Sequence, residues 1–181
     1  MVARFLFLIA LKPPLSYYKC MKKKMYAPWR TEYILGPKEK GCLFCRIIKE
    51  NRDRQNYVLY RGEKVIIIMN RYPYVSGHLM VVPMRHLAHL EKLPETTALE
   101  LMTETQRAVT ILKQALRPHS FNVGINLGHQ SGAGVPGHLH QHIVPRWHGD
   151  TNFLDVIGQT RVVSVSLDQV YETLYKHFQE R

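Results

Sequence analysis

Acidic residues are missing from the first thirty positions of this chain. That stretch holds Arg4, Lys12, Lys19, Lys22, Lys23, Lys24 and Arg30, with neither Asp nor Glu. The formal charge of +11 is therefore lopsided, and beyond residue 30 the balance is 18 basic against 14 acidic residues. A nucleic-acid-binding domain carries its basic excess on the folded body, so this distribution argues against a nucleic-acid partner. Long hydrophobic runs are lacking too. The run from Phe5 to Leu11 is too short to span a bilayer as a helix. No small-residue cleavage site follows it convincingly, and nothing else in the chain points to a membrane. Met21 and Met25 offer alternative starts. Residues 1–25 are accordingly read as a basic, apolar N-terminal extension, disordered or an over-long start, with a membrane-surface anchor as the alternative, and 26–181 as a single domain.

Cysteine is scarce, three in all, which excludes a disulfide framework. Cys20 stands alone in the extension, whereas Cys42 and Cys45 form "CLFC". In a cytoplasmic protein, the expected location here, that spacing points to metal or redox chemistry. Two cysteines alone leave both open. No internal repeat or low-complexity block is present. With 45% hydrophobic and 22% charged residues, the chain has the balance of a globular protein, and 181 residues suffice for one domain with its own core.

What is there is an ordered series of β-rich runs. "LFCRIIK" (43–49) suits a short helix. "NYVLYR" (56–61) and "KVIIIMN" (64–70), separated by "GE", read as a hairpin. "RYPYVSG" is a loop, and "HLMVVP" (78–83) a third strand. From Pro94 to Leu116, Ala98, Leu101, Met102, Thr105, Val109, Leu112 and Leu116 recur at helical spacing. "FNVGINLG" (121–128) is a fourth strand, followed by the glycine-rich loop "HQSGAGVPG" (129–137). Leu167, Val170, Leu174 and Phe178 predict a C-terminal helix with Ser166 as its N-cap. The sum is an α+β domain built on an antiparallel sheet.

The loop runs into "GHLHQHIV", where His138, His140 and His142 occupy alternate positions. On a strand, alternate side chains share a face, so three imidazoles point one way while Leu139, Gln141 and Ile143 point the other. Single histidines on a strand are ordinarily hydrogen-bonded, half-buried groups. Three in strict alternation beside a glycine-rich loop point to chemistry. One route is metal, since two imidazoles from H-x-H plus a third ligand leave an open catalytic position. The other is nucleophilic: a neutral imidazole attacks phosphorus, while its neighbours and backbone amides stabilise the phosphate oxygens.

"HLHQHIV" resembles the H-x-H-x-H-x-x signature of the histidine-triad (HIT) family of nucleotide hydrolases and transferases. The resemblance runs from about Trp29 to Gly158 in the right order, through "NRYPYVSGHLMVVPMRH", "NVGINLG", "GAG" and the "PR" after the triad. "HLHQHIVPRWHGDTNF" is similar to the branch of diadenosine tetraphosphate phosphorylases. The resemblance implies a HIT-like fold, an antiparallel sheet of about five strands with one long helix and a C-terminal helix. It implies a nucleotidyl-histidine intermediate on His140, with His142 contacting the phosphate and His78 supporting the triad. Asn70 matches the ribose-binding position; Asn126, Gly132 and Gly134 match the phosphate loop. In zinc-bearing members the ligands resemble Cys42, Cys45, His86 and His138, two thiolates and two imidazoles that make a closed, structural site.

The pattern departs in one place. The residues before His138 are Gly134, Val135, Pro136 and Gly137, where many members carry Ser or Thr, so Gln130, Ser131 or backbone amides must serve. Gln141 is assigned to packing or a dimer contact, and Arg146 to anion binding or to bracing its strand. The substrate implied is an adenine nucleotide, diadenosine tetraphosphate first, with inorganic phosphate or water as acceptor and a homodimer as the working form. Hydrolysis of dinucleoside polyphosphates or phosphoramidates, a non-catalytic nucleotide-binding protein and a metal-dependent hydrolase remain as alternatives. Full biological activity in His140→Asn would favour the second, and activity lost on chelation but independent of His140 the third.

Overall fold

The computed structural model describes residues 41–150 and 165–180. The 1–25 extension, the boundary at 26 and both ends of the family-like range lie outside the described residues. Five strands form one sheet: β1 (Val58–Arg61), β2 (Val65–Met69), β3 (Leu79–Pro83), β4 (Ser120–Ile125) and β5 (Gln141–Arg146). Their order is β1-β2-β3-β5-β4, and each neighbouring pair is antiparallel. The helices are α1 (Leu43–Glu50), α2 (Asp53–Asn56), α3 (Glu95–Leu116) and α4 (Leu167–Gln179). The α+β expectation with about five strands holds.

β2 and β3 are apolar at every position, and all ten residues are buried. Such runs belong to strands covered on both faces. Val65, Ile67 and Met69 join Leu79, Val81 and Ile143 under α3 and α4. Ile66 and Ile68 face the other way, with Met80 and Val82, against Phe44 and Ile47 of α1. α4 starts as expected at Ser166, whose hydroxyl accepts from the Gln169 amide while the Gln169 side chain returns to the Ser166 N–H.

Three element details differ from the sequence reading. The first strand begins at Val58, because Asn56 closes α2 and Tyr57 adopts a left-handed φ of 57°. α3 buries Leu101, Thr105, Ala108, Ile111 and Leu112, but leaves Ala98 and Met102 exposed. The apolar pattern spanned two adjacent stripes, and the sheet takes only one. β4 stops at Ile125, opposite Gln141, because no ladder partner precedes Gln141.

Candidate active site and metal cluster

The histidine segment is where the sequence reading needs its main correction. The strand starts at Gln141, so only His142 lies within β5. His138, at a bend, and His140 precede it outside the ladder, and the Leu139 N–H donates to the Leu87 carbonyl at 2.7 Å instead of to a strand. The two-residue alternation nevertheless survives. Leu139 and Ile143 are buried, and Gln141, 4% exposed, donates to Thr105 Oγ1 of α3 at 2.6 Å. His138 and His140 face Phe44 of α1 on the opposite side of the sheet. Gln141 is thus a packing link to the long helix.

Hydrogen bonds assign a proton to each ring. His140 Nδ1 lies 2.8 Å from its neighbour's carbonyl, His138 O. A carbonyl only accepts, so Nδ1 carries the hydrogen and Nε2 keeps its lone pair. Burial lowers the His140 pKa, opposed by that same hydrogen bond. The ring is therefore neutral, with a free basic nitrogen.

His142 is ordered by a chain of partners. The Tyr74 backbone N–H donates to His78 Nδ1 at 3.2 Å, and Asn70 Nδ2 approaches the same nitrogen at 3.3 Å. His78 Nδ1 must therefore be the acceptor, which leaves the hydrogen on Nε2 to donate to His142 Nδ1 at 2.9 Å. His142 in turn holds its hydrogen on Nε2. Burial first, then His142 and His140, push His78 down to about 3; burial and His140 push His142 down to about 4. Both are neutral near pH 7. His78 is fully buried, and Tyr74, 44% exposed, lays its ring 4.6 Å from that of His78.

Across the sheet, His142 pairs with Met80 on one side and Gly124 on the other. A side chain at Gly124 would meet nothing within 4 Å, so open space adjoins His142 along the β4 edge. Asn126 follows β4, half-buried, while Gly132 and Gly134 are exposed in the loop between β4 and β5. Gly132 takes φ +88°, a conformation that suits glycine. Ser131 Oγ is used within this loop, donating to Gly128 O. Arg146 is held by Asp150 through Nε and Nη2 and by Asn122 through Nη1, so it braces the end of β5.

A second cluster adjoins the first. Cys42, Cys45, His86 and His138 place one ligand atom each within 4.8 Å of one another. His138 Nε2 donates to the Pro83 carbonyl at 2.8 Å, which turns the unprotonated Nδ1 towards Cys42 Sγ at 3.2 Å and Cys45 Sγ at 3.6 Å. Cys45 Sγ lies 3.2 Å from His86 Nδ1. Burial first, and then the neighbouring Cys42, raise the Cys45 pKa. This group can hold a metal ion. Neither the Pro83 carbonyl nor the contacts of Phe44 and Tyr74 were singled out from the sequence. Phe44 had a visible signal, its place between the two cysteines.

Three histidines on one side of the sheet, His138 and His140 just before β5 and His142 within it, adjoin a cluster that can hold a metal ion and that includes His138. The HIT domain model matches residues 51–149, and the chain belongs to the HIT family. Over 116 residues it is 47% identical to a Mycobacterium tuberculosis protein named AP-4-A phosphorylase, a match spanning 64% of this chain and 60% of that protein. It is 29% identical over 100 residues to the asymmetrical bis(5'-nucleosyl)-tetraphosphatase of Schizosaccharomyces pombe, over 55% of this chain and 54% of that one. Among solved structures, a Zn-bound histidine triad family protein from Mycobacterium smegmatis aligns with a TM-score of 0.64 and 25% identity. That alignment covers 77% of this chain and 94% of the other.

Proposed function

We propose that this protein is a nucleotidyl transferase acting on diadenosine polyphosphates, diadenosine tetraphosphate foremost, with inorganic phosphate as the acceptor. The observation that carries the reading is His140, a neutral ring with its Nδ1 hydrogen on the His138 carbonyl and a free lone pair on Nε2. Nε2 attacks the α-phosphorus of the bound nucleotide. A nitrogen–phosphorus bond forms, and the bond to the bridging oxygen breaks. One nucleotide leaves as a polyphosphate, and the other stays as nucleotidyl-histidine. In the second step a phosphate oxygen displaces Nε2 and carries the nucleotidyl group away; with water in that role the outcome is hydrolysis. Phosphorolysis is favoured by the 47% identity to a protein named AP-4-A phosphorylase.

The other groups fall into supporting roles. His142 Nε2–H donates to a phosphate oxygen and stabilises charge that builds there in the transition state. His78 supports that donor by presenting its own Nε2–H to His142 Nδ1. Asn70, just after β2 and beside His78, is assigned to the ribose hydroxyls; its Oδ1 also accepts from the Tyr72 N–H. Asn126, Gly132 and Gly134 are the phosphate-side contacts. Glycines there let backbone amides come close to an anion.

The Cys42–Cys45–His86–His138 cluster is assigned to structural zinc. A tetrahedron with Zn–S about 2.3 Å and Zn–N about 2.0–2.1 Å sets sulfur and nitrogen roughly 3.6 Å apart. The contacts of 3.2–3.6 Å fit that spacing. When bound, the ion neutralises the two thiolates and ties α1 to the sheet; four protein ligands leave no position for a reacting water. Thiolates kept free for a metal suit a reducing, cytoplasmic location. A homodimer through β4 is supported by an edge strand that carries no charged residue and leaves Val123 47% exposed.

Product analysis with diadenosine tetraphosphate, with and without inorganic phosphate, tests the assignment. ADP plus ATP formed only with phosphate is the expected result. AMP plus ATP formed regardless of phosphate would replace the phosphorylase reading with a hydrolase.

A further inference from the structure

Phe44 lies between the two cysteines of "CLFC" in the first turn of α1 and is 2% exposed. Its ring centroid is 5.0 Å from that of His140 at an interplanar angle of 50°, and 5.4 Å from that of His138 at 71°. The turn that supplies two of the four candidate metal ligands therefore also supplies an aromatic ring in contact with His140. His138 makes a second link. Its side chain belongs to the metal cluster, and its backbone carbonyl accepts the His140 Nδ1 hydrogen.

These two contacts constrain different motions. A histidine ring turns about two bonds, and the second has a broad torsional preference that alone does not hold the ring plane. The hydrogen bond to His138 O fixes which nitrogen faces the backbone. Tilt of the plane about that bond is left to packing. Phe44 is one packing neighbour, and His142, with its centroid 4.9 Å away at 71°, is another. Ile47, Val58, Ile66, Ile68, Met80 and Val82 are the other buried residues of the apolar cluster around Phe44. A leucine at 44 would keep that cluster apolar while removing the ring contact.

We propose that Phe44 is a positioning residue for His140, held by the metal-binding turn so that its ring and the His138 carbonyl together fix the plane of the attacking imidazole. The proposal rests on the reading of His140 as the nucleophile. It gives the metal cluster a role beyond holding α1 to the sheet, because loss of the metal loosens both supports of one ring.

The test uses the full-length zinc-loaded protein and its Phe44→Leu variant, each with nitrogen-15-labelled histidine. In the wild type, His140 gives one sharp pair of ring-nitrogen signals with the hydrogen on Nδ1. In Phe44→Leu with zinc still bound, those signals broaden or average, kcat falls by about 10- to 100-fold, and KM stays within about 2-fold. Zinc removal from the wild type produces the same spectral change, a readout independent of turnover. Unchanged His140 signals together with wild-type kcat in zinc-bound Phe44→Leu would overturn the proposal. Should that variant not fold or not hold zinc, the wild type decides. His140 signals that stay sharp and unmoved on metal removal would overturn it equally. Failure of the nucleophile reading has a separate sign, turnover surviving in His140→Asn, and it leaves the spectral comparison intact.

Discussion

At the scale of single residues, what each imidazole can do depends on which of its nitrogens carries a hydrogen. The assignment follows from partners with fixed roles, the carbonyls of His138 and Pro83 and the N–H of Tyr74. It has a consequence for pH. Protonation of His140 removes the lone pair on Nε2. Protonation of His142 places a hydrogen on Nδ1, against the Nε2–H of His78. Both changes abolish the arrangement as pH falls. Burial lowers His140 below the ordinary histidine value of 6.5, and His142 down to about 4. The acid limb of kcat/KM is therefore expected below pH 6.5, with activity retained at 6.5 itself. A half-maximal rate at or above 6.5 would mean that the reactive ring is solvated.

At the scale of elements, α1 is a short helix whose attachment depends on few groups. Phe44 and Ile47 are its buried residues, and Cys42 and Cys45 carry the cluster at its start. A ligand bound only by the folded state adds its binding free energy to stability. Chelation of the zinc-loaded protein should lower the thermal midpoint by about 5 °C or more, with proteolysis in the segment before β1 appearing first. An unchanged midpoint after verified metal loss would contradict a structural site. The elements also show what was legible in sequence. The hairpin, β3, the long helix and the capped C-terminal helix were all readable, because continuous apolar runs and 3.6-residue spacing reflect local geometry. The start of β5 was not. His138 and His140 carry an alternating pattern, but the His138 ring and the Leu139 N–H bond to the carbonyls of Pro83 and Leu87, partners far off in sequence that keep this stretch out of the ladder. The fully buried His78 was legible only through resemblance, and its link to His142 spans 64 positions of sequence. Pro83 took part through its carbonyl, a group every residue has, so no residue type could mark it.

At the scale of the molecule, β4 is an edge of the sheet among the described residues, with Val123 exposed, and also the neighbour of the histidine face. Its residue Gly124 pairs with His142, so an edge-to-edge dimer would bring a second subunit close to the site. Val123→Lys places a charge on that edge, a common way to block strand pairing. Sedimentation should show a dimer for the native protein and a monomer for this variant, and a variant that remains dimeric would place the interface elsewhere.

On the proposed mechanism, catalysis runs through a covalent bond to His140 Nε2. Its most direct test is rapid quenching of the full-length protein with radiolabelled diadenosine tetraphosphate in the absence of phosphate, followed by peptide mapping under alkaline conditions. The account predicts an acid-labile, alkali-stable adenylyl group on His140, discharged on adding phosphate. It also predicts that His140→Asn loses both the adduct and turnover, on the order of 10⁴-fold or more. Turnover without any adduct, or an adduct that persists in His140→Asn, would contradict it.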